Sequence, residues 1–392
     1  MRERIAGREL VVALALYSVC AVVARGGLDT GNHPGDVHHY STFAHMIGQG
    51  KIPYRDFFME YPPAALVPFL IPQLWPAHYL AIFKVTMFVC GALLVVVVGR
   101  LAPPPRLLPL LAVAVSPLLI GPVFLTRYDL WPALLAALAL LALIDERWAL
   151  GSALVAATIA AKLFAVAVVP VALIHVMRKG GRPALKRAVV SFALTTLLLW
   201  GPFLALGPGG VRFSIKEQLE RGLQIESTGA AVLLVLDKLG VYQTHWIRGL
   251  SIDLGGRLPR VVGAATTLVE GIAIAVAAYV YAKAKESRHA FTAAYAASSA
   301  AFVAFGKVLS PQFLIWLVPL VPVVESAAAT WLFLAVLVLT QLEVNYGDWG
   351  LRRADWSVWL LAARNLALIG VYVLLVRQIR ARPNRGAAAR SV

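Results

Sequence analysis

Long apolar segments dominate the chain, and apolar stripes along one helix face are rare. Segment 81–98 is interrupted only by Lys84, Thr86 and Gly91. A stretch of about 18 or more apolar residues is long enough to cross a lipid bilayer as a helix. The pattern therefore predicts an all-α integral membrane protein with about 12 transmembrane helices. These are expected at 9–25, 77–99, 107–125, 129–144, 149–161, 163–177, 187–206, 259–282, 290–306, 312–325, 327–343 and 356–377.

The composition agrees with a protein that lies in the lipid bilayer. Of the 392 residues, 60% are hydrophobic and 14% are charged, whereas a soluble domain has about 25% charged residues. The net charge of +16 does not indicate nucleic acid binding, because no base-reading motif accompanies the basic residues.

The basic clusters indicate how the chain is oriented, because cytoplasmic loops collect Lys and Arg. With a cytoplasmic N-terminus, the predicted spans place every cluster and the C-terminus on the cytoplasmic side. The clusters are Arg2/Arg4/Arg8, Arg100/Arg106, Arg178/Lys179/Arg182/Lys186/Arg187, Lys283/Lys285/Arg288 and Arg377/Arg380/Arg382/Arg385/Arg390. Segment 9–25 is interpreted as an uncleaved first helix, since no A-x-A cleavage site follows it. We therefore expect a multi-pass protein of the cell membrane.

Two external segments are longer than simple connections need to be. Residues 1–392 are expected to form a single polytopic membrane domain with large external loops at about 26–76 and 207–259. The apolar piece 62–74 is too short for a full span, which predicts an interfacial helix. Segments 211–226 and 230–239 predict further short helices in the second loop. Loops of this length in a compact protein are usually functional.

Charged residues on the outer side indicate a cavity. On this topology most of the 20 acidic residues lie at the outer face, together with the single cations Arg127, Lys162, Arg221 and Lys307. Isolated charges near membrane depth are unfavourable unless they are paired or line a cavity. The hypothesis is an outward-facing cavity that holds a carboxylate and several cations.

The first external loop carries the densest group of polar residues. Asp36 precedes a helical stretch, so it is either a helix N-cap or a functional carboxylate, and the local sequence favours neither. His38 and His39 are adjacent and diverge on a helix, and no ligand spacing joins them to other histidines. A metal site and a cofactor are therefore not expected.

The remaining outer cations have two interpretations. Arg127-Tyr128-Asp129 lies between two predicted helices. It is either an interfacial anchor with an N-cap Asp129 or a phosphate ligand, because the forked donors of Arg match phosphate geometry. Lys162, in the turn between two short helices, is placed to pair with an anion in the cavity. Lys307 has a similar position.

Several motifs in the same order resemble a known family. They are Gly35-Asp36-x-x-x-Tyr40, Gly50-x-x-Pro53-Tyr54-x-Asp56-Phe57, Glu60-Tyr61-Pro62-Pro63, Arg127-Tyr128-Asp129, Ala161-Lys162-Leu163, Arg221 to Ser227 and Lys307 to Gln312. Together they resemble the membrane glycosyltransferases of the GT-C superfamily, more specifically the polyprenyl-phosphate-mannose-dependent alpha-mannosyltransferases of actinobacteria. The resemblance runs from about Asp36 to Trp316.

The resemblance implies a GT-C fold, an outward-facing active site and a polyprenyl-phosphate sugar donor, with a glycolipid or glycan as acceptor. It implies that Asp36 is the catalytic residue, since the family's catalytic aspartate lies in the first external loop. His38 and His39 depart from the less polar residues expected there. The resemblance also suggests residues that bind or support the substrates: His38, Tyr40, Tyr54, Glu60, Tyr61, Asp129, Gln224, Glu226 and Gln312.

The chemistry suits these residue types. One carboxylate serves as general base for the acceptor hydroxyl. A lipid phosphate leaves without protonation, so the second carboxylic acid of glycoside hydrolases is not needed. The departing phosphate needs cations, which Arg127, Lys162, Arg221 and Lys307 could supply. Inversion at the anomeric carbon and metal-independent catalysis are expected.

Two alternatives remain open from the sequence. A polytopic transporter or lipid flippase would also explain the spans and the charged cavity. However, the two halves show no repeat, which many secondary transporters have, and the charges gather at the outer face rather than at the midplane. A GT-C enzyme that uses another lipid-linked sugar, such as arabinose, is the second alternative.

Overall fold

The computed structural model describes residues 2–25, 36–248, 251–352 and 355–381. Within them the chain is almost entirely helical, which confirms the predicted all-α class. The predictions for 26–35, in the first external loop, and for the basic residues beyond 381 lie outside the described residues.

The first half of the chain forms helices that follow the predicted apolar segments closely. They are α1 (Arg2–Arg25), α2 (Val37–Gly48), α3 (Leu66–Gln73), α4 (Tyr79–Leu101), α5 (Leu107–Ile120), α6 (Val123–Thr126), α7 (Leu130–Ile144), α8 (Trp148–Ala161) and α9 (Val169–Leu206). Short 3₁₀ segments lie at Pro63–Ala65, Pro76–His78 and Leu163–Val168. The short α3 confirms a helix in the apolar part of the first loop.

The described residues of the second half form six helices and a small sheet. The helices are α10 (Pro208–Leu219), α11 (Thr228–Lys238), α12 (Arg257–Lys283), α13 (Arg288–Phe305), α14 (Ala327–Arg352) and α15 (Ser357–Arg380). Helix α13 lies at the centre of the bundle, since nearly all of its side chains are buried.

Among the described residues, five helices are long and apolar enough to cross a membrane. They are Gly7–Ala24, Pro76–Leu101, Leu163–Leu206, Arg257–Lys283 and Ser357–Arg380. Shorter apolar helices include Leu130–Ile144 and Trp148–Ala161. These two pack against each other, and Trp148–Ala161 also packs against α9. Many large apolar side chains of α9 and α12 face outward, among them Leu198 and Leu268. Apolar surface of this extent is compatible with lipid rather than water as the surrounding medium.

Several predicted spans differ from the structure. Span 312–325 is wrong as a regular helix: a 3₁₀ segment, Pro311–Trp316, is followed by turns. Its apolar side chains are buried inside the bundle, where non-helical backbone is shielded from lipid. Spans 163–177 and 187–206 meet in α9, which breaks at Gly181. Gly181 has φ 65°, a conformation that favours glycine, and Pro183 follows it.

The second external loop contains a sheet that the sequence did not predict. Its strands are β1 (Leu223–Gln224), β2 (Trp246–Arg248) and β3 (Ile252–Leu254), arranged antiparallel in the order β1-β3-β2. Strands of two or three residues are too short for an alternating pattern to be recognised. The sheet and α11 pack their apolar residues against Val358 and Leu361 of α15.

The two external loops dock onto each other around Tyr54. Tyr54 has φ 65° and a buried side chain, whose ring lies edge-on to Phe203 at 5.3 Å. Gln218 of α10 donates to the carbonyl oxygen of Glu60 at 3.0 Å. Close approach of the two backbones requires Gly210, because a Cβ there would lie 1.6 Å from the carbonyl oxygen of Tyr54.

Adding a methyl group at this contact tests the docking. We expect Gly210→Ala to destabilise the protein by about 1–3 kcal/mol, because the clash moves backbone rather than a flexible side chain. Gly209→Ala is the matched control, since open space surrounds that position. Thermal unfolding of the two purified variants makes the comparison. Equal midpoints for both would contradict the docked arrangement.

Candidate functional site

The predicted catalytic residue is paired with an arginine. Asp36 directly precedes α2, and its backbone oxygen accepts from the amide of Tyr40. Its side chain does not cap the helix. Instead the carboxylate forms an ion pair with Nη1 of Arg127, and a third of the Asp36 side chain remains exposed. The interpretation of Asp36 as a side-chain N-cap is therefore wrong, and the carboxylate lies at an open position.

Arg127 is held between α6 and α7 and is mostly buried. Burial opposes its charge, yet the adjacent Asp36 carboxylate outweighs that effect and raises the pKa of Arg127 above its ordinary value. Its Nε is buried without a hydrogen-bond partner among the described residues. Buried polar atoms are normally satisfied. Arg127 therefore keeps a donor that a bound anion could use.

A second ion pair lies beside the first. The carboxylate of Asp129 does not cap α7, so its interpretation as a side-chain N-cap is also wrong. Its Oδ1 is 3.1 Å from Nζ of Lys162 and accepts from Nε1 of Trp316 at 2.8 Å. Asp129 is 1% exposed. The anion that the sequence predicted for Lys162 is thus supplied by the protein itself.

Aromatic rings form the wall behind both pairs. Tyr40 stacks on Phe69 at 4.3 Å, and Tyr61 lies edge-on to both Phe69 and Tyr128. Nζ of Lys162 is 4.4 Å from the ring centroid of Tyr128. Tyr40 and Tyr128 are fully buried. They therefore support the site rather than meet a substrate in this conformation.

The other two predicted cations, Arg221 and Lys307, act on each other electrostatically. Lys307 follows α13, and its Nζ donates to the carbonyl oxygen of Leu219 at 2.7 Å. Burial, followed by the neighbouring charge of Arg221, lowers the pKa of Lys307. The Nε of Arg221 is buried without a hydrogen-bond partner among the described residues. Two cations that repel each other are favoured by an anion between them.

The predicted supporting residues divide into connecting and outward-facing groups. Gln224 donates to the carboxylate of Glu226 at 2.6 Å. It also accepts from the backbone amide of Leu309 at 3.0 Å, so Gln224 links the second loop to the segment after Lys307. Glu60 and Gln312 are half-buried, and His38 is exposed on α2. Within the part of the chain that the structure describes, no three His, Cys, Asp or Glu side chains cluster as metal ligands.

Two residues that the sequence analysis missed belong to this arrangement. Trp316 binds Asp129, and its position in an apolar segment gave no polar signal. Arg364 is fully buried in α15 and donates to the backbone oxygen of Glu226 at 2.9 Å. Its signal was available, because a charged residue inside a predicted span is by default a candidate for function.

Comparison with known proteins adds two findings. The family description of glycosyltransferase family 87 matches residues 58–311, a region that contains Arg127, Lys162, Arg221 and Lys307 and begins after Asp36. The fold is similar to that of ArnT from Cupriavidus metallidurans, solved bound to undecaprenyl phosphate. The TM-score is 0.50 at 13% identity, covering 95% of this chain and 76% of ArnT. No curated protein sequence matches the chain. The structural likeness confirms the predicted GT-C membrane fold.

Proposed function

The chain belongs to glycosyltransferase family 87, and from this premise we propose that it transfers mannose from a polyprenyl-phosphate donor to a glycolipid or glycan acceptor. The reaction takes place on the extracytoplasmic face, with both termini in the cytoplasm, and inverts the anomeric carbon. The observation that carries the proposal is the partly exposed carboxylate of Asp36 beside Arg127. The likeness to ArnT, a protein solved with a lipid phosphate, supports the donor class. The sequence motifs support mannose.

Asp36 acts as the general base. Its carboxylate accepts the proton of the acceptor hydroxyl as the hydroxyl oxygen forms a bond to the anomeric carbon. The bond from that carbon to the phosphate oxygen breaks on the opposite face, and the electron pair leaves with the lipid phosphate. A phosphate monoester is stable as an anion, so no acid has to protonate it.

Three cations are assigned to the donor phosphate. Arg221 and Lys307 act on each other electrostatically, and the carboxylates of Asp253, Glu270 and Glu220 act on Lys307 without forming a described ion pair with it. Arg127 has an unused buried donor. Charge-assisted hydrogen bonds of this kind are the strong ones at phosphate sites. Lys162 differs, because Asp129 already compensates its charge. We assign Lys162 and Asp129 to holding the wall of the site.

The proposal is tested with purified protein in lipid nanodiscs. Radiolabelled polyprenyl-phosphate-mannose is incubated with a panel of glycolipid acceptors, and polyprenyl-phosphate-arabinose is assayed in parallel. We expect label to move to an acceptor from the mannosyl donor only. In Lys307→Ala the KM for the donor should rise about tenfold, because one charged phosphate contact is lost. Lys238→Ala, an exposed lysine at the end of α11 in the second external loop, is the matched control and should be unchanged.

Three outcomes would count against parts of the proposal. Transfer from the arabinosyl donor alone would contradict the assignment of mannose but leave the assignment of glycosyl transfer in place. Movement of labelled lipid across the bilayer without any transfer would favour a flippase. Equal rises in the donor and acceptor KM in Lys307→Ala would contradict the phosphate assignment.

A further inference from the structure

Charged and amide side chains are buried where the last two helices meet. Arg364 and Asn365 of α15 are 0% and 2% exposed, and Glu343 of α14 is 2% exposed. The carboxylates of Glu343 and Glu226 both act electrostatically on Arg364. Ionisable residues inside membrane helices are unfavourable and are usually retained for function. The proposed chemistry does not yet use any of these three residues.

Two donors from this cluster converge on one carbonyl group. Nη2 of Arg364 lies 2.9 Å from the backbone oxygen of Glu226, and Nδ2 of Asn365 lies 3.2 Å from the same oxygen. The side chain of Glu226 in turn accepts from Nε2 of Gln224 at 2.6 Å. The last helix therefore holds the backbone of Glu226, and the side chain of Glu226 is bonded to Gln224 of strand β1.

Gln224 passes this constraint to the segment that carries Lys307. The backbone amide of Gln224 donates to the backbone oxygen of Lys307 at 3.0 Å. Its Oε1 accepts from the amide of Leu309, also at 3.0 Å. Gln224 thus holds the backbone on both sides of Val308, Lys307 through its backbone amide and Leu309 through its side chain. A continuous series of hydrogen bonds leads from α15 to the backbone of a proposed phosphate ligand.

Arg364 is not satisfied as a purely structural residue would be. Its Nε and Nη1, and Oδ1 of Asn365, have no hydrogen-bond partner among the described residues. Unsatisfied buried donors reduce stability, and replacing a buried charge by a packed apolar side chain often does not. The hydrogen bond of Arg364 to the backbone oxygen of Glu226 is therefore the contact through which it can act on the site.

We propose that Arg364, assisted by Asn365 and Glu343, is a positioning residue that sets the place of Lys307 at the donor phosphate. It acts through Glu226 and Gln224 and does not itself contact the donor. The inference rests on the proposed function, since it assigns Lys307 to the lipid phosphate. Its structural part, the constraint on 307–309, stands independently and can be measured without turnover.

The first measurement is kinetic. In Arg364→Met and in Asn365→Leu, we expect the KM for the polyprenyl-phosphate donor to rise about tenfold while the acceptor KM is unchanged. Arg364→Lys keeps the charge and one donor, so it should recover part of the donor affinity. In the double variant Arg364→Met/Gln224→Leu, the donor KM should rise little further than in Gln224→Leu alone, because both residues lie on one series of contacts. Additive effects would overturn the inference.

The second measurement is amide hydrogen exchange of the protein without substrates. The amide of Leu309 should exchange about tenfold faster in Arg364→Met than in wild type, since local opening becomes easier. Arg178→Met is the matched control. Arg178 also donates to two backbone oxygens, those of Tyr281 and Ala284. These lie at the C-terminal end of α12, away from strand β1 and Lys307 in the chain. It should leave exchange at Leu309 and the donor KM unchanged.

The two proposals fail differently. If wild-type protein transfers no sugar from any lipid phosphate, the proposed function is overturned, while exchange at Leu309 still reports on Arg364. If wild-type protein transfers sugar but folded Arg364 and Asn365 variants show unchanged exchange at Leu309, the positioning role is overturned. Should Arg364→Met not fold, Asn365→Leu and Arg364→Lys give the same readouts. Equal rises of both KM values in these variants would indicate a general structural role instead.

Discussion

Asp36→Asn is expected to reduce sugar transfer by a factor of about 10²–10⁴, the usual contribution of a positioned general base. The amide keeps the size of the side chain but cannot take the proton of the acceptor hydroxyl. Donor binding should be retained or become tighter, because the carboxylate that now neutralises Arg127 is removed. Single-turnover transfer and donor binding to the same purified variant measure the two effects separately.

A second aspartate of the same loop is the matched control. Asp56 forms an exposed ion pair with Arg55 and accepts from the amide of Ile52. Asp56→Asn should leave both transfer and donor binding close to wild type. Near-normal turnover in Asp36→Asn would remove Asp36 as the base. Donor binding lost together with transfer would indicate instead that Asp36 only orients Arg127.

Lys162→Met is expected to destabilise the protein by about 3–5 kcal/mol, because it leaves the buried carboxylate of Asp129 without its cation. The double variant Lys162→Met/Asp129→Asn should recover much of that loss, since it removes the uncompensated charge. Thermal unfolding in detergent, with and without donor, measures both. If Lys162 were instead a free phosphate ligand, the single variant would unfold normally and lose donor binding.

An exposed ion pair serves as the control for this second prediction. Nζ of Lys179 lies 3.2 Å from Oε1 of Glu146, and about half of each side chain is exposed to solvent. Such pairs contribute at most about 1 kcal/mol because water screens them. Lys179→Met should therefore unfold within a few degrees of wild type. A loss as large as that of Lys162→Met would mean that the assay does not separate buried pairs from exposed ones.

The site was only partly predictable from the sequence. Arg127, Lys162 and Lys307 stood out because each is an isolated charge between apolar segments. The sequence did not show which side chain each charge contacts. Asp36 and Asp129 both precede helices and both looked like N-caps, yet both side chains turn to cations instead. Local sequence left the cap and the functional carboxylate both open for Asp36, and the tertiary ion pairs decide between them.

Part of the fold shows the same limit. The irregular segment after Pro311 is as apolar as a spanning helix, so composition predicted a helix there. The structure buries it beneath its neighbours, where backbone without helical hydrogen bonding is tolerated. Gly210 is one of 30 glycines, and only the approach of Tyr54 makes it critical.

The sequence by itself determined that this protein lies in a membrane and where most of its helices fall, and its motifs led to the proposed chemistry. Those are local properties, because the length of an apolar segment and the charges beside it do not depend on distant contacts. Tertiary structure alone decided which charges are paired. Trp316 reaches Asp129 across 187 positions, and Arg364 reaches Glu226 across 138. Pairing over such separations follows from helix packing, which no local periodicity encodes.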